Sequence, residues 1–379
     1  MLIAWALGEY LAKRLSLPRI SSYVGLGFIL GAWLTESMTL QWKQTLSVLA
    51  QIAFALHLFE TGYRIHLTWF RSNPWLLISG LSESALSFAL VFALGIVLQF
   101  SYLESCLMAA LLMATSPSSL ILTIQQMRAS GQLTERVLHH TAISLVLAVV
   151  VVQMVLGVQS FEHSGSWREA IFDGLVVASL SITSGIVLGF LIPELLRSLR
   201  RAANDATLAF ALGVAFLCAL SLSLKLSPML SCFAFGVVCR YQRMTIGLAK
   251  KGFGTAGDLL SILLFVYVGA SVPLVYVLEG GLMALIFLLA RQLAKSIAVT
   301  GLAFSGALSW KKGFWVSVAL SPAASFLLLM AVHLENDGLT SAPLMHALFA
   351  SALITGVLAP VMVHLAILRS KESLVNEGP

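Results

Sequence analysis

Long apolar stretches, separated by short segments rich in proline, glycine and charge, make up nearly the whole chain. A helix needs about 20 apolar residues to cross roughly 30 Å of hydrocarbon, and most of the stretches are near that length. The pattern predicts an all-α polytopic membrane protein with about 13 transmembrane helices. The predicted spans are 1–12, 19–35, 45–63, 74–99, 102–128, 134–157, 169–196, 205–222, 227–241, 256–275, 282–304, 312–334 and 342–368.

Composition supports this interpretation. Hydrophobic residues make up 59% of the 379 residues and charged residues only 11%, whereas a soluble domain carries roughly 25% charged residues. The lipid bilayer is therefore the expected partner of most of the surface. The net charge of +6 comes from basic residues in short loops between apolar runs, which indicates membrane topology, so no nucleic-acid partner is expected.

The basic residues also predict an orientation. The loops after odd-numbered spans, together with the C-terminal tail, hold 18 of the 23 Lys and Arg residues. The opposite side holds only Lys43, Arg168 and Lys225. The positive-inside rule then places the N-terminus outside and the C-terminus in the cytoplasm. One missing or added span would break this asymmetry, which supports the odd count.

Two predicted spans, the fifth and the twelfth, carry a proline at mid-depth, namely Pro117 and Pro322. Proline removes one backbone donor and frees a carbonyl about one turn earlier, and hydrocarbon cannot satisfy that carbonyl. Such a break persists where it lines a wet cavity or packs against partner helices. Hydroxyl side chains lie beside both prolines, and they are candidate residues of an ion path: Thr115, Ser116, Ser118, Ser321 and Ser325.

The two interrupted spans occupy matching places. Each is the fifth member of a six-helix set, and the two sets run in opposite directions. We therefore expect a single membrane domain, 1–373, built from a first repeat (1–157), a linker helix (158–204) and an inverted second repeat (205–368), with 369–379 as a short cytoplasmic tail. Matching breaks in inverted halves are typical of the midplane site of a transporter. Two unrelated proline kinks are the alternative.

Three charged residues lie deep inside predicted spans. Arg291 and Lys295 are about 14 Å and 20 Å from the outer end of the eleventh span, four residues apart and hence on one helix face. A charge at such depth needs a partner or a role, unless one side chain extends to an interface. Glu83, about 14 Å into the fourth span, is the expected partner of Arg291 or Lys295, either in an ion path or as a structural bridge.

Other polar residues have simpler interpretations. Glu60 is expected to form an interfacial ion pair with Arg64, one turn later. His139 and His140 open the sixth span, where solvated side chains at the cytoplasmic edge are expected and pH sensing is the alternative. The glycines of the second span, Gly25, Gly27 and Gly31, are expected to form a close-packing face.

No catalytic or cofactor motif is evident. The four cysteines, Cys106, Cys218, Cys232 and Cys239, lie in or near apolar segments without zinc-type pairing. We therefore expect buried, reduced thiols, with no cofactor and no bound metal. A zinc-binding His-Glu motif, a nucleophile elbow and an aspartate pair are missing from the sequence. The chain is therefore not expected to be an enzyme.

Taken together, these segments resemble the monovalent cation:proton antiporters of the sodium/hydrogen exchanger superfamily, in its bacterial Kef/NapA-like branch. The resemblance covers essentially the whole chain, and it rests on the order of several motifs rather than on one decisive motif. The segments that carry it are Leu17 to Gly31, Leu58 to Gly62, Ala114 to Pro117, Gly131 to Glu135 and Leu226 to Gly236, with Lys295 in its helix.

The resemblance implies several further properties. A core of spans 4–6 and 11–13 would move against a panel of spans 1–3 and 8–10 in an elevator-type mechanism. The panel would form a homodimer interface in the bacterial inner membrane. Relatives couple proton binding at an acidic residue of span six to cation release, with a lysine of span eleven as its partner. The transported Na⁺ or K⁺ is expected near Thr115 and Ser144.

The chain departs from the family at these positions. Where relatives carry an Asn-Asp or Asp-Asp pair in span six, the sequence runs from Thr141 to Leu145 without an acidic residue. Ser116 stands where some relatives have Asp, and Ser325 where some have Glu. A serine hydroxyl does not titrate near neutral pH, so the usual exchange cycle does not transfer directly, although Lys295 is kept.

Three functions remain open from the sequence. The first is cation:proton antiport, either as in the family or in a diverged member that uses Glu83 as its titrating group. The second is an anion carrier, because two cationic side chains and half-helix N-termini suit an anion. The third is a non-transporting membrane subunit or sensor that keeps the scaffold.

Overall fold

The computed structural model describes residues 2–15, 18–34, 40–160, 167–198, 206–242, 253–337 and 340–373. These residues form helices joined by turns and short loops, with no strand among them. The helices are α1 (Leu2–Leu15), α2 (Arg19–Leu34), α3 (Leu40–Arg64), α4 (Leu67–Ser72), α5 (Pro74–Val97), α6 (Tyr102–Met113), α7 (Pro117–Gln126), α8 (Gln132–Ser160), α9 (Trp167–Ser198), α10 (Ala206–Ser223), α11 (Pro228–Tyr241), α12 (Gly254–Ala270), α13 (Leu274–Gly301), α14 (Trp310–Ala319), α15 (Ala324–Asp337) and α16 (Ala342–Arg369).

Within the described part of the chain, nine stretches are long and apolar enough to cross a membrane. Two of them, Tyr102–Gln126 and Trp310–Glu335, each contain two consecutive helices, α6 with α7 and α14 with α15. Three shorter apolar helices accompany them, over Arg19–Ala32, Pro228–Tyr241 and Gly257–Ala270. The chain is thus a polytopic, all-helical membrane protein, while the count of 13 spans stays a prediction.

The chain divides into two compact units. Unit 1 comprises Met1–Ser47, Thr68–Ala148 and Ile262–Pro379, and unit 2 comprises Val48–Leu67 and Val149–Ser261. Apart from the last part of α8, the helices that the resemblance places in a moving core belong to unit 1. Helices α1 and α2, which the resemblance places in the panel, also belong to unit 1.

The packing of α2 explains its place in unit 1. Gly27 and Gly31 face the backbone of Val266 and Ala270 in the last turns of α12, so closely that a Cβ atom on either glycine would collide with a carbonyl group. The expected close-packing face is therefore present at these two positions. It is wrong for Gly25, around which a Cβ atom would meet nothing within 4 Å.

One predicted boundary is wrong in an informative way. Helix α13 begins at Leu274 rather than at 282, directly after Pro273. Gly280 lies inside the helix, because its missing side chain lets α13 pass against the backbone of His346 and Ala347 in α16. Arg291 is consequently about 26 Å from the beginning of its helix rather than 14 Å.

The N-terminus of α8 is capped by a residue from the far end of the chain. The Glu372 carboxylate accepts hydrogen bonds from the backbone N–H groups of Leu133 (2.8 Å) and Thr134 (3.0 Å) and from the Thr134 hydroxyl (3.0 Å). The Ser130 N–H also donates to the Glu372 carbonyl, at 3.1 Å. A carboxylate at this place satisfies free N–H groups and opposes the positive end of the helix dipole. Part of the predicted cytoplasmic tail is therefore packed on α8.

Unit 2 has an aromatic core. The Phe59 ring lies 5.6 Å from that of Phe210 and 4.8 Å from that of Phe235, between centroids. Directly after Phe59, Glu60 forms the predicted ion pair with Arg64, with 2.6 Å between Oε1 and Nη2.

The four cysteines are free thiols. Cys218, Cys232 and Cys239 are buried, as predicted. Cys106 is only partly buried.

Candidate functional site

The two predicted helix breaks are present, and they contact each other. Helix α6 ends at Met113 before α7 begins at Pro117, and α14 ends at Ala319 before α15 begins at Ala324. The backbone N–H of Ser116 donates to the carbonyl of Pro322 at 2.8 Å, and the Thr115 hydroxyl donates to the carbonyl of Leu320 at 3.2 Å. Backbone groups that hydrocarbon could not satisfy are thus paired between the two breaks.

The hydroxyl groups around the breaks form a connected set. The Ser118 and Ser325 oxygens are 2.7 Å apart, and those of Ser116 and Ser118 are 3.2 Å apart. The Ser144 hydroxyl accepts from the Thr115 N–H at 3.2 Å and lies 3.3 Å from the Thr141 carbonyl oxygen, to which it donates. The structure therefore brings the predicted hydroxyl residues to one crossing. Ser321 also lies there.

Arg291 is buried at the crossing, with 1% of its surface exposed. Its guanidinium donates only to backbone carbonyls, and these belong to the ends of both interrupted helices. Such carbonyls carry the negative end of a helix dipole, so the guanidinium neutralises both half-helices and satisfies their free acceptors. The acceptors are Leu112 (from Nε, 2.5 Å), Ser321 (from Nη1, 2.9 Å), and Ala114, Leu320 and Pro322 (from Nη2, 2.9, 3.1 and 3.3 Å).

Lys295, one turn after Arg291, has a different environment. Its ammonium forms an ion pair with Oε1 of Glu83, and both side chains are fully buried. The same ammonium donates to the Met113 carbonyl at 3.1 Å and to the Thr115 hydroxyl at 3.2 Å. An ammonium has three donors, and all three are used. The choice that the sequence left open is decided: Glu83 pairs with Lys295, whereas Arg291 binds carbonyls.

The second oxygen of Glu83 is not satisfied in the same way. Among the described residues, Oε2 has no hydrogen-bond partner, and neither has Nδ1 of His140, which lies 4.0 Å from it. Both groups are buried. Because burying a carboxylate without hydrogen bonds is costly, this oxygen is a candidate position for a proton or a cation.

The expectation that His139 and His140 are solvated is wrong, because their exposed fractions are 0% and 1%. Helix α4 covers the first of them: the rings of Trp69 and Phe70 lie 4.7 and 5.2 Å from the His139 ring. Nδ1 of His139 donates to the Glu135 carbonyl at 2.7 Å. His140, the next residue, faces α5 and Glu83 instead.

The sequence did not predict that His140 lies beside Glu83, nor that backbone carbonyls are the acceptors of Arg291. The first would have required knowing that α5 packs against this part of α8. The second had an available signal, because each proline break frees carbonyls and a buried guanidinium is suited to them. Within the described ranges, no three His, Cys, Asp or Glu side chains are grouped so that they could hold a metal ion.

Comparisons with known proteins assign the chain to a family. The family described as sodium/hydrogen exchanger, transmembrane, matches residues 1–368. A similar solved structure is that of the sodium/proton antiporter MjNhaP1 from Methanocaldococcus jannaschii, with a TM-score of 0.71 and 16% sequence identity, covering 97% of this chain and 96% of that chain. At this identity, the likeness concerns the fold. No curated protein matches the chain. The family consists of secondary transporters rather than enzymes, and residues 1–368 show that this chain belongs to the sodium/hydrogen exchanger family.

Proposed function

We propose that the protein is a secondary active transporter that exchanges a monovalent cation, Na⁺ or K⁺, for protons, with Glu83 as the exchanging carboxylate. Membership of the sodium/hydrogen exchanger family supports cation:proton antiport in general. The observation that carries the proposal for this chain is the buried Glu83–Lys295 pair at the crossing of two interrupted helices.

The exchange follows from competition for one carboxylate. A buried ion pair is stable only while both charges are compensated. A cation that binds the Glu83 carboxylate competes with the Lys295 ammonium, and a proton that binds it removes the negative charge. Both ligands therefore use the same group and exclude each other, which is the requirement for antiport. The Thr115 hydroxyl lies within 3.2 Å of the ammonium. As a neutral ligand, it is suited to bind either the ammonium or the cation that replaces it.

Glu83 takes the place of the acidic residue that the resemblance leads one to expect in span six. Ser144 stands in that part of α8, and its hydroxyl hydrogen-bonds the Thr115 N–H at 3.2 Å. Lys295 donates to the Met113 carbonyl and the Thr115 hydroxyl of the same break and needs a carboxylate counter-charge. Helix α5 supplies that carboxylate.

The positions of the two cations disfavour an anion carrier. Every guanidinium nitrogen of Arg291 donates to a backbone carbonyl, and the three donors of Lys295 bind Glu83, Met113 and Thr115. A transported anion would have to displace these acceptors.

We further propose an elevator-type movement, in which spans 4–6 and 11–13 move as a body. The hydrogen bonds between the two breaks support this, because they join α6 and α7 to α14 and α15. We also propose that residues 1–157 and 205–368 form inverted repeats and that spans 1–3 and 8–10 form a homodimer interface. The C-terminus would lie in the cytoplasm and the protein in the bacterial inner membrane.

The proposal is tested in proteoliposomes that contain a pH-sensitive dye. Adding Na⁺ or K⁺ to the purified wild-type protein is expected to move protons, and Glu83→Gln is expected to reduce that rate by more than about tenfold. Glu60→Gln is the matched control, because Glu60 is also a buried, paired glutamate but is not part of the crossing.

Three outcomes would contradict the proposal. A response to anions alone would support an anion carrier, and no response to any ion would support a non-transporting subunit. Undiminished exchange in Glu83→Gln would show that another group carries the proton.

A further inference from the structure

His140 lies beside the part of Glu83 that no other described residue satisfies. Its Nδ1 atom is 4.0 Å from Oε2 of Glu83, while Lys295 holds Oε1. Neither Oε2 nor Nδ1 has a hydrogen-bond partner among the described residues. The exposed fractions are 0% for Glu83 and 1% for His140. Two complementary titratable atoms thus face each other in a buried place.

We propose that His140 exchanges a proton directly with Glu83 and is the second proton-carrying residue of this transporter. This inference rests on the proposed function, because it gives Glu83 its proton donor and acceptor. It also assigns a role to a side chain on α8, the helix that lacks the acidic pair of the relatives.

The transfer is balanced in atoms and charge. In one direction, the Nδ1–H bond of the imidazolium breaks and an O–H bond forms at Oε2 of Glu83, which leaves a neutral imidazole and a neutral carboxylic acid. The reverse step restores both charges. Lys295 keeps its bonds to the Met113 carbonyl and the Thr115 hydroxyl while Glu83 is neutral, so its ammonium is not left without acceptors.

The distance suits a relay that closes only during exchange. A hydrogen bond requires about 2.7–3.2 Å between nitrogen and oxygen, so the two side chains must approach by about 1 Å. Side-chain rotation supplies such a shift, and proton-transfer contacts are often longer in the resting protein than in the reacting one. An imidazole can accept a proton at one ring nitrogen and donate one from the other, so it can pass a proton to or from the carboxylate.

The charged groups around His140 are few. Glu83 faces it from α5, and Lys295, on α13, is bound to the other Glu83 oxygen. On α8 itself, Arg136 lies one turn earlier and donates to the Gly306 carbonyl, and His139 is turned toward Trp69 and Phe70. Glu83 is thus the carboxylate that faces His140 directly, while Lys295 and Arg136 each donate to other atoms.

The position along α8 gives the relay a direction. His140 comes eight residues after Gln132, where α8 begins, so it is about 12 Å from that end of the helix. The sequence predicts that this end faces the cytoplasm. We infer that His140 connects Glu83 to the side of α8 where Gln132 lies, when the site is open to that side.

The test compares His140→Gln with His139→Gln in the proteoliposome assay, over a range of about pH 5.5 to about 8.5 that covers neutral pH. In His140→Gln, the exchange rate near pH 7 is expected to fall by more than about tenfold, and the pH profile is expected to change. His139→Gln, the matched control, is expected to keep the wild-type pH profile. For His140→Ala, added imidazole is expected to restore part of the rate, since a free imidazole can replace a missing proton carrier.

Each result separates the inference from the proposed function. If Glu83→Gln is inactive but His140→Gln keeps the wild-type rate and pH profile, the inference is overturned and the proposed function stands. A slower His140→Ala protein with an unchanged pH profile and no response to imidazole assigns a structural role and also overturns the inference. If the wild-type protein moves no protons with any cation, the proposed function fails and the relay fails with it.

Discussion

At the scale of single residues, two cations one turn apart on α13 have different roles. Arg291 has a planar group with five donors, and it binds five carbonyls at the ends of interrupted helices. Lys295 has a compact ammonium, and it binds one carboxylate and two neutral oxygens. The sequence identified both positions, but their roles follow from which acceptors each one reaches.

We predict that Arg291→Ala lowers the free energy of unfolding by about 3 kcal/mol or more, because buried carbonyls at both breaks lose their donor. Arg291→Lys should recover only part of this loss, since an ammonium cannot reach all five acceptors. Thermal unfolding in detergent measures the effect. Arg71→Ala is the control, because Arg71 is exposed; equal effects of Arg291→Ala and Arg71→Ala would contradict the assignment.

The Glu83–Lys295 pair gives a second prediction at this scale. Lys295→Met leaves Glu83 buried without its counter-charge and should cost about 3–5 kcal/mol of unfolding free energy. The double variant Glu83→Gln with Lys295→Met removes both charges and should be more stable than Lys295→Met alone, although it should not transport. A double-mutant cycle of unfolding free energies measures the coupling, and additive effects would show that the pair is not energetically linked.

At the scale of elements, helix ends and close helix contacts determine the arrangement. The breaks between α6 and α7 and between α14 and α15 were predictable, because proline cannot continue a hydrogen-bonded helix interior. The beginning of α13 was not predicted correctly, because a glycine inside a helix and a glycine at its end look alike in a sequence. Only the neighbouring backbone of α16 shows that Gly280 is an interior position.

The glycines of α2 allow a matched test of helix packing. Gly27→Ala places a Cβ atom against the Val266 carbonyl, whereas Gly25→Ala meets nothing within 4 Å. We expect Gly27→Ala to lower stability by about 1–3 kcal/mol, in the range for overpacked sites, and Gly25→Ala to be neutral or slightly stabilising. Thermal unfolding of the two single variants decides this, and the interpretation fails if Gly25→Ala is the more damaging one.

The cap on α8 is also a property of an element. Glu372→Ala should destabilise the N-terminal turn of α8 by about 1–2 kcal/mol, because two backbone N–H groups lose a charged acceptor. Glu372→Gln, which retains one acceptor oxygen, should cost less. Hydrogen exchange of the amides of Leu133 and Thr134 measures the effect. Lys371→Ala is the control because Lys371 is exposed, and unchanged amide protection in Glu372→Ala would rule out the cap.

At the scale of the whole molecule, composition and loop charge determine how the chain meets a membrane. With 59% hydrophobic residues and nine apolar stretches of sufficient length in the described part, the chain has to bury its surface in lipid. The basic loops predict a cytoplasmic C-terminus. A green fluorescent protein fused to the C-terminus should therefore fluoresce in bacterial cells, whereas an alkaline phosphatase fused there should be inactive; the opposite pair of results would reverse the orientation.

The sequence by itself determined the class of the protein, the positions of most helices, the two breaks and the buried charges Glu83, Arg291 and Lys295. These are local properties, since hydropathy, proline and ionisable groups act on their own segment of chain. Even the family could be identified from the order of such segments. The departure from relatives in span six was also evident from the sequence.

The tertiary structure decided which partners these groups bind. Lys295 and Glu83 are 212 residues apart, and Leu133 and Glu372 are 239 apart. The burial of His140 likewise depends on α5 rather than on its neighbours in sequence. Such contacts depend on how helices pack across long separations, and a periodic pattern of apolar residues specifies a buried face without specifying which polar group will meet it.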